Sequence, residues 1–154
     1  METLKAYLSG PILGKTWTEA SIWRLQAEEE LKPYYECLNP VGDEMPWPGV
    51  ITNDLIPAQH SVWTLRRDLD WVERADVVLV NTDRWTSVGT IIEMGWAFAL
   101  KIPIVVAGPQ PDHHWLRQMV LVRFDELRCA LRSLTEPVTV GYLTHARKNR
   151  YFLK

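Results

Sequence analysis

The feature that most constrains the fold is the segment at residues 76–81, Asp-Val-Val-Leu-Val-Asn, whose central residues 77–80 are continuously apolar. A β-branched run without alternating polar positions is typical of a strand covered on both faces, as in a parallel sheet. A similar run at Ile102–Ala107 follows a helical pattern over residues 89–101. The order strand, helix, strand therefore predicts parallel strands in an α/β fold.

The same alternation extends along the rest of the chain. It predicts strands at Leu4–Leu8, Tyr34–Leu38 and Met119–Arg123, and helices from Thr16 or Thr18 to Lys32, over residues 61–75 and over residues 125–134. Right-handed crossovers and short loops leave few arrangements of such elements. We therefore predict a single doubly wound, Rossmann-like or flavodoxin-like domain over residues 1–154, with about five parallel strands and a basic tail at residues 147–150.

The loops at the carboxyl ends of these strands are where chemistry is expected, because ligands of doubly wound folds bind there. A long stretch with four prolines and little periodicity is one of these loops, and such a stretch inside a compact domain is usually functional. The loops are residues 9–17, 39–60, 82–90 and 108–116.

Charge and composition limit the partners of such a site. A net charge of -2 provides no general positive field, so we expect a small-molecule ligand and no nucleic-acid polymer. The chain shows neither a charged-then-apolar leader nor an apolar run of membrane length, so we expect a cytoplasmic protein without a membrane partner. Cys37 and Cys129 each lie in an apolar pattern, and we expect two reduced core thiols.

Glu93 is the most informative residue, because the segment around it, Ser87–Leu100, is apolar on nearly every face. Burying an unpaired carboxylate is unfavourable and requires a reason. A place near the start of a helix offers one, since free backbone N–H groups and the helix dipole stabilise negative charge. We expect an ionised, nucleophilic glutamate. A glutamate that caps its own helix or pairs with a basic neighbour is an equally compatible alternative.

A second carboxylate, Asp68, is predicted to face the same interior. With about 100° per residue along a helix, Asp68 borders the apolar face of Leu65 and Leu69, whereas Asp70 points away. Asp68 could hold sugar hydroxyls or protonate a departing base, and the alternative is a solvated carboxylate in a charged run. Tyr7, at the end of the first strand, could orient the glutamate or be an ordinary core residue.

Other candidates in these loops carry a weaker signal. Ser9, Gly10 and Pro11 let backbone N–H groups approach a ligand, but the full glycine-rich nucleotide fingerprint is missing. Tryptophans in these loops could stack on a base or pack in the core. Two histidines lack further metal ligands at a useful spacing, so neither a metal nor another cofactor is expected. These aromatic and imidazole residues are Trp47, Trp85, Trp115, His113 and His114.

Together these residues resemble the nucleoside 2-deoxyribosyltransferase superfamily from Leu4 to about Leu131. The resemblance implies that Glu93 attacks C1′ and forms a glycosyl-enzyme intermediate, that Tyr7 positions it, and that Asp68 contacts the sugar and the leaving base. It also implies a homodimer or larger homo-oligomer. The segments that carry it are Tyr7-Leu8-Ser9-Gly10-Pro11, Arg67-Asp68-Leu69, Ala75–Val80, Gly89-Thr90, Glu93–Ala97 and Lys101-Ile102-Pro103.

One departure from the family pattern concerns the substrate. Transferases of free nucleosides usually carry an aspartate just before the glycine-threonine pair, where this chain has Ser87. A serine at this position is similar to the sequence pattern of the family branch that hydrolyses nucleoside 5′-monophosphates. A carboxylate would repel a 5′-phosphate, whereas Ser87 and the amides of Gly89 and Thr90 can donate to it, and Ser9 and Gly10 could close its other side. If Ser87 is only a loop residue, the free nucleoside remains the substrate.

Three functions follow as hypotheses. The first is an N-glycosidase that releases base and sugar phosphate from a nucleoside 5′-monophosphate. The second is a deoxyribosyltransferase that exchanges bases between free deoxynucleosides. Residues 112–122 contain no convincing match to the asparagine that such transferases supply from a neighbouring subunit, which favours water as the acceptor. The third is a nucleotide sensor without catalysis, against which the set of Tyr7, Asp68 and Glu93 speaks.

Overall fold

The computed structural model of the chain describes residues 3–42, 49–56 and 58–152. Its centre is a five-stranded parallel sheet in the order β2-β1-β3-β4-β5. The predicted doubly wound α/β fold is therefore confirmed. The strands are β1 (Leu4–Ser9), β2 (Tyr35–Leu38), β3 (Val77–Asn81), β4 (Ile104–Ala107) and β5 (Val122–Phe124).

Helices cover both faces of this sheet. One face carries the first helix and the last two, and the other face carries the second and third. A short 3-10 helix, Asn53–Leu55, precedes the second helix. The helices of the described residues are α1 (Trp17–Leu31), α2 (Ala58–Arg74), α3 (Val88–Ala99), α4 (His114–Met119), α5 (Leu127–Thr135) and α6 (Pro137–Phe152).

The alternation of side chains along β1 decides which residues reach the functional face. Leu4, Ala6 and Leu8 are buried on the side of α1, α5 and α6. Tyr7 is buried on the opposite side, in the core formed with α2 and α3. Because successive side chains point to opposite faces, Ser9 shares the side of Tyr7. Both polar side chains therefore face α3.

Two helices lie where the sequence pattern did not predict them. α4 begins within the predicted loop 108–116, and α6 covers a region predicted only as a basic tail. α6 begins at a proline, which suits the first helical turn, and it buries Val140 and Leu143 in the core. Arg147 of the predicted tail pairs with Asp76 at 3.2 Å. The helix was not predicted because its apolar face is short and the segment ends in basic residues.

Two smaller expectations are also wrong. The fifth strand begins at Val122 and not at Met119, because α4 continues to that methionine. Cys129 is exposed on α5 and is no core thiol, since Ala130 takes the neighbouring buried position. Cys37 is half-buried, and both thiols are free. Among the described residues, no helix is long and apolar enough to cross a membrane.

Candidate active site

A cavity of about 460 Å³ opens at the carboxyl edge of the sheet, between the loop after β1, helix α2 and the start of α3. The strand order reverses between β1 and β3, and such a switch point is where doubly wound folds bind ligands. Tyr7 and Ser9 are buried beneath the cavity. The other predicted site residues line it, namely Gly10, Pro11, Asp68, Ser87, Gly89, Thr90 and Glu93.

Glu93 is held by two hydroxyl donors from β1. The Tyr7 hydroxyl donates to Oε1 at 2.8 Å, and the Ser9 hydroxyl donates to Oε2 at 2.5 Å. Each carboxylate oxygen therefore has one fixed partner, and the side chain cannot rotate without losing both. The predicted contact between Tyr7 and the glutamate is present in the structure. The structure places the Ser9 hydroxyl on Glu93, and its expected contact with an anion at the start of α3 stays a prediction.

Burial raises the pKa of Glu93 from 4.5 to about 7. The hydrogen bond from Ser9 opposes this rise, because it stabilises the charged form. The negative charge of Asp68 adds to it, while the Tyr7 hydrogen bond and the positive charge of Arg24 again lower the pKa. Burial also raises the pKa of Tyr7 well above its usual range, so the phenol stays protonated and keeps donating.

From the sequence we expected the start of the helix to stabilise the charge of Glu93. The structure does not support this explanation. α3 begins at Val88, so Glu93 lies in the second turn, whereas free N–H groups and the strongest dipole effect belong to the first. The helix is also less buried than expected, since Ile92, Trp96 and Phe98 are exposed. With a pKa of about 7, the Glu93 carboxylate is partly ionised at neutral pH.

Asp68 lies on the inward side of α2, as predicted, whereas Asp70 is exposed and pairs with Arg74. The Oδ1 atom of Asp68 accepts from the Nη2 and Nε atoms of Arg67 at 2.8 and 2.9 Å. Arg67 in turn stacks on Trp63 and Trp71 and donates to the Pro40 carbonyl. Asp68 is therefore held by an arginine whose own position is fixed by other contacts. It is not a solvent-exposed carboxylate among surface charges.

Ser87 is the N-cap of α3. Its Oγ accepts from the Thr90 hydroxyl at 2.9 Å and from the Thr90 backbone N–H at 3.5 Å. Since both contacts use the oxygen as acceptor, the Ser87 hydroxyl proton remains available to a ligand in the cavity. Gly89 is exposed at the same helix start. Ser87 therefore has a defined structural role as the cap of α3, and its contact with a phosphate stays a prediction.

Two arginines of the site were not singled out from the sequence. Arg24 on α1 is fully buried and donates to the carbonyls of Leu8 and Gly10 at 3.2 and 2.9 Å. The sequence feature that could have identified Arg24 is its place on the same helical face as apolar residues. Arg84 lines the cavity next to Thr86 and Ser87. It lies in a predicted ligand loop, but an exposed arginine in a loop carries no signal by itself.

The aromatic and imidazole candidates lie elsewhere. Trp85 donates its indole N–H to the Pro109 carbonyl at 2.9 Å, and Trp115 is exposed on α4. Neither is among the described residues that line the cavity, and Trp47 lies outside the described residues. His113 caps α4 through its Nδ1 atom. Within the described ranges, no group of side chains has the arrangement of a metal site.

Comparison with known proteins adds a family to this geometry. The sequence model of the family described as nucleoside 2-deoxyribosyltransferase matches residues 6–143. The 2-deoxyribosyltransferase structure from Bacillus psychrosaccharolyticus is similar at a TM-score of 0.66 with 17% identity, over 88% of this chain and 95% of that chain. The CMP N-glycosidase structure from Clostridium botulinum is similar at a TM-score of 0.53 with 16% identity, over 84% and 96%. At these identities the likeness concerns the fold. No curated protein sequence matches the chain.

Proposed function

Because the chain belongs to the nucleoside 2-deoxyribosyltransferase family, we propose that it cleaves the N-glycosidic bond of a nucleoside 5′-monophosphate with Glu93 as the nucleophile. The observation that carries this proposal is the carboxylate of Glu93 at the cavity, held by the Tyr7 and Ser9 hydroxyls. Two fixed donors orient a carboxylate toward a bound sugar, and nucleophilic catalysis needs that orientation.

The reaction proceeds in two displacements. A Glu93 oxygen bonds to C1′ while the C1′–N bond breaks, and the bond electrons leave with the base, which takes up a proton. Water then adds to C1′, the ester bond to Glu93 breaks, and the carboxylate forms again with release of a proton. The net products are free base and sugar phosphate. A developing positive charge at C1′ favours the ionised glutamate and offsets the effect of burial on its pKa.

In this scheme Asp68 binds the sugar. An arginine partner favours the carboxylate form of an aspartate, and Asp68 is bonded to Arg67 through Oδ1. An ionised carboxylate accepts hydrogen bonds from sugar hydroxyls, whereas protonation of the base would require the acid form. We therefore assign sugar binding to Asp68 and leave base protonation to solvent.

The phosphate is proposed to bind at the start of α3. Ser87 can donate its hydroxyl proton there, and Gly89 leaves the backbone open. Arg84 lines the same part of the cavity. The neighbouring carboxylate, Asp83, is already paired with Lys15 at 2.7 Å, so within the described residues the Arg84 charge has no carboxylate partner. A free guanidinium beside hydroxyl and amide donors suits a phosphate.

A homodimer or larger homo-oligomer is part of the proposal. Val88, Ile92 and Trp96 follow one another at helical spacing and are exposed on α3, and Leu65 is exposed on the adjacent α2. Contiguous exposed apolar side chains favour association. Leu65, Val88 and Ile92 also line the cavity, so a second copy on this face would close the cavity to water. Sedimentation of the wild type and of Trp96→Glu tests this, because a monomeric wild type would refute it.

Base exchange between free deoxynucleosides is the second candidate, and the family description favours it. One chromatographic experiment separates the two. The protein is incubated with each common nucleoside and nucleoside 5′-monophosphate, with and without a second free base. We expect free base from monophosphates without any acceptor base. A new nucleoside formed only when the second base is added, with no release from monophosphates, would overturn the proposal in favour of the transferase.

A further inference from the structure

Arg24 on α1 is a buried positive charge close to the glutamate site. Its side chain is fully buried, and it donates to the carbonyls of Leu8, Gly10 and Ala20. Burial lowers the pKa of Arg24 to about 10, so it stays protonated at neutral pH. A buried cation is unfavourable unless its donors are satisfied and a negative charge lies nearby. Each of the three guanidinium nitrogens donates to a carbonyl, but carbonyls do not balance the charge.

The two carbonyls outside α1 belong to the neighbours of Ser9. Arg24 Nε bonds to Leu8 at 3.2 Å, and Nη2 bonds to Gly10 at 2.9 Å. The guanidinium therefore fixes the backbone on both sides of Ser9, whose hydroxyl donates to Glu93. A planar fork can hold two carbonyls at once, which the single ammonium group of a lysine does less well.

The charges around Glu93 come from three elements. Tyr7 on β1 donates a hydrogen bond, Asp68 on α2 repels, and Arg24 on α1 attracts the carboxylate. Asp68 is itself paired with Arg67. Arg84 lines the outer part of the cavity. Of the described groups that act on the pKa of Glu93, Arg24 is the cation. Glu93 and, to a smaller extent, Asp68 are the carboxylates whose charge acts on Arg24.

We propose that Arg24 is a positioning residue of the glycosidic reaction, which fixes Ser9 against Glu93 and places a positive charge near the carboxylate. This inference rests on the function proposed above. Arg24 is not among the described residues that line the cavity. It therefore acts through Ser9 and Glu93, and not on the substrate.

The test uses two variants that separate charge from geometry. Arg24→Met removes both the charge and the fork, whereas Arg24→Lys keeps the charge and loses the fork. The quantity measured is kcat/KM for base release from a nucleoside 5′-monophosphate, from about pH 5.5 to about pH 9.5. Arg128→Met is the matched control, because Arg128 is exposed on α5 and forms its ion pair with Glu126.

For Arg24→Met we expect the acid limb of the profile to move up by about one pH unit, because the positive charge and the fixed position of the Ser9 donor are both lost. The ionised fraction of Glu93 at pH 7 then falls from about one half to about one tenth. Activity falls about fivefold more at pH 7 than at pH 9. Arg24→Lys should move the acid limb less than Arg24→Met does and should lower kcat, and Arg128→Met should change neither. An Arg24→Met profile with the wild-type acid limb, at whatever amplitude, would overturn the proposal.

Two further measurements keep the test decisive. If circular dichroism shows that Arg24→Met does not fold, Arg24→Lys carries the test, and an unchanged kcat would overturn the proposal. Carbon-13 NMR of labelled glutamate follows the titration of Glu93 without turnover, with Glu93→Gln assigning the signal. A higher pKa of Glu93 in Arg24→Met supports the inference, and an equal pKa refutes it. Absence of base release by the wild type refutes the proposed function but leaves this titration interpretable.

Discussion

Replacing Glu93 with glutamine should stabilise the folded protein at alkaline pH and have little effect at acid pH. Glutamine has nearly the same shape, and it can still exchange hydrogen bonds with the Tyr7 and Ser9 hydroxyls, but it carries no charge. The pKa of Glu93 is raised from 4.5 to about 7, mainly by burial. The folded protein therefore holds this proton over a pH range in which the unfolded chain has lost it.

The size of the effect follows from this difference in pKa. Below about pH 4.5 Glu93 is protonated in both states and contributes nothing. Between about pH 4.5 and about pH 7 the folded state binds more protons than the unfolded state, so stability falls as pH rises. Above about pH 7 the loss is complete. A tenfold change in proton affinity corresponds to about 1.4 kcal/mol, so the rise in pKa from 4.5 to about 7 corresponds to a full loss of about 3.5 kcal/mol.

Urea unfolding at about pH 5 and about pH 8.5 measures this loss. The difference in unfolding free energy between Glu93→Gln and wild type should be about 2 kcal/mol larger at the higher pH. Titrating groups that do not interact with Glu93 cancel in that comparison. Asp70→Asn, at an exposed carboxylate on α2, should change by less than about 0.5 kcal/mol between the two pH values. Equal differences at both pH values for Glu93→Gln would refute the raised pKa.

Three further predictions address neighbouring groups. Ser9→Ala removes a donor that favours the ionised Glu93, so the acid limb of the kcat/KM profile should move to higher pH; an unchanged limb contradicts this role. Arg84→Gln should lower kcat/KM for a 5′-monophosphate by about tenfold or more and leave the nucleoside within about twofold, and an equal loss for both substrates argues against a phosphate contact. Gly10→Ala places a Cβ 2.5 Å from the Asn81 carbonyl oxygen and 2.9 Å from Trp23, so thermal unfolding should show a loss of about 1–3 kcal/mol. Gly141→Ala, in open space on α6, is the matched control and should be neutral or stabilising by up to about 1 kcal/mol.

The sequence predicts the sheet well for a physical reason. Strands buried on both faces must be continuously apolar, and the run at residues 76–81 has no other simple interpretation. The helical wheel likewise separates Asp68 from Asp70, because only one of them borders the apolar face. Where the apolar face is short, as for Val140 and Leu143 in α6, periodicity is too weak to reveal the helix.

The chemistry of the site depends on contacts that no local pattern contains. Ser9 and Glu93 are far apart in the chain, and their hydrogen bond exists only because β1 lies beside α3 in the fold. The same holds for Arg24, whose partners are carbonyls of the loop after β1. Sequence reasoning could identify Glu93 as unusual, but not that burial and two hydroxyls set its pKa.

The central claim is that Glu93 carries the reaction, and the most direct test is the rate of base release by Glu93→Gln. The assay uses a nucleoside 5′-monophosphate that the wild type cleaves, with free base quantified by chromatography. Urea unfolding of the same variant excludes misfolding as the cause of any loss. We expect a loss of at least about 1,000-fold in kcat at unchanged or greater stability. Base release by a folded Glu93→Gln protein at a rate close to that of the wild type would contradict the account.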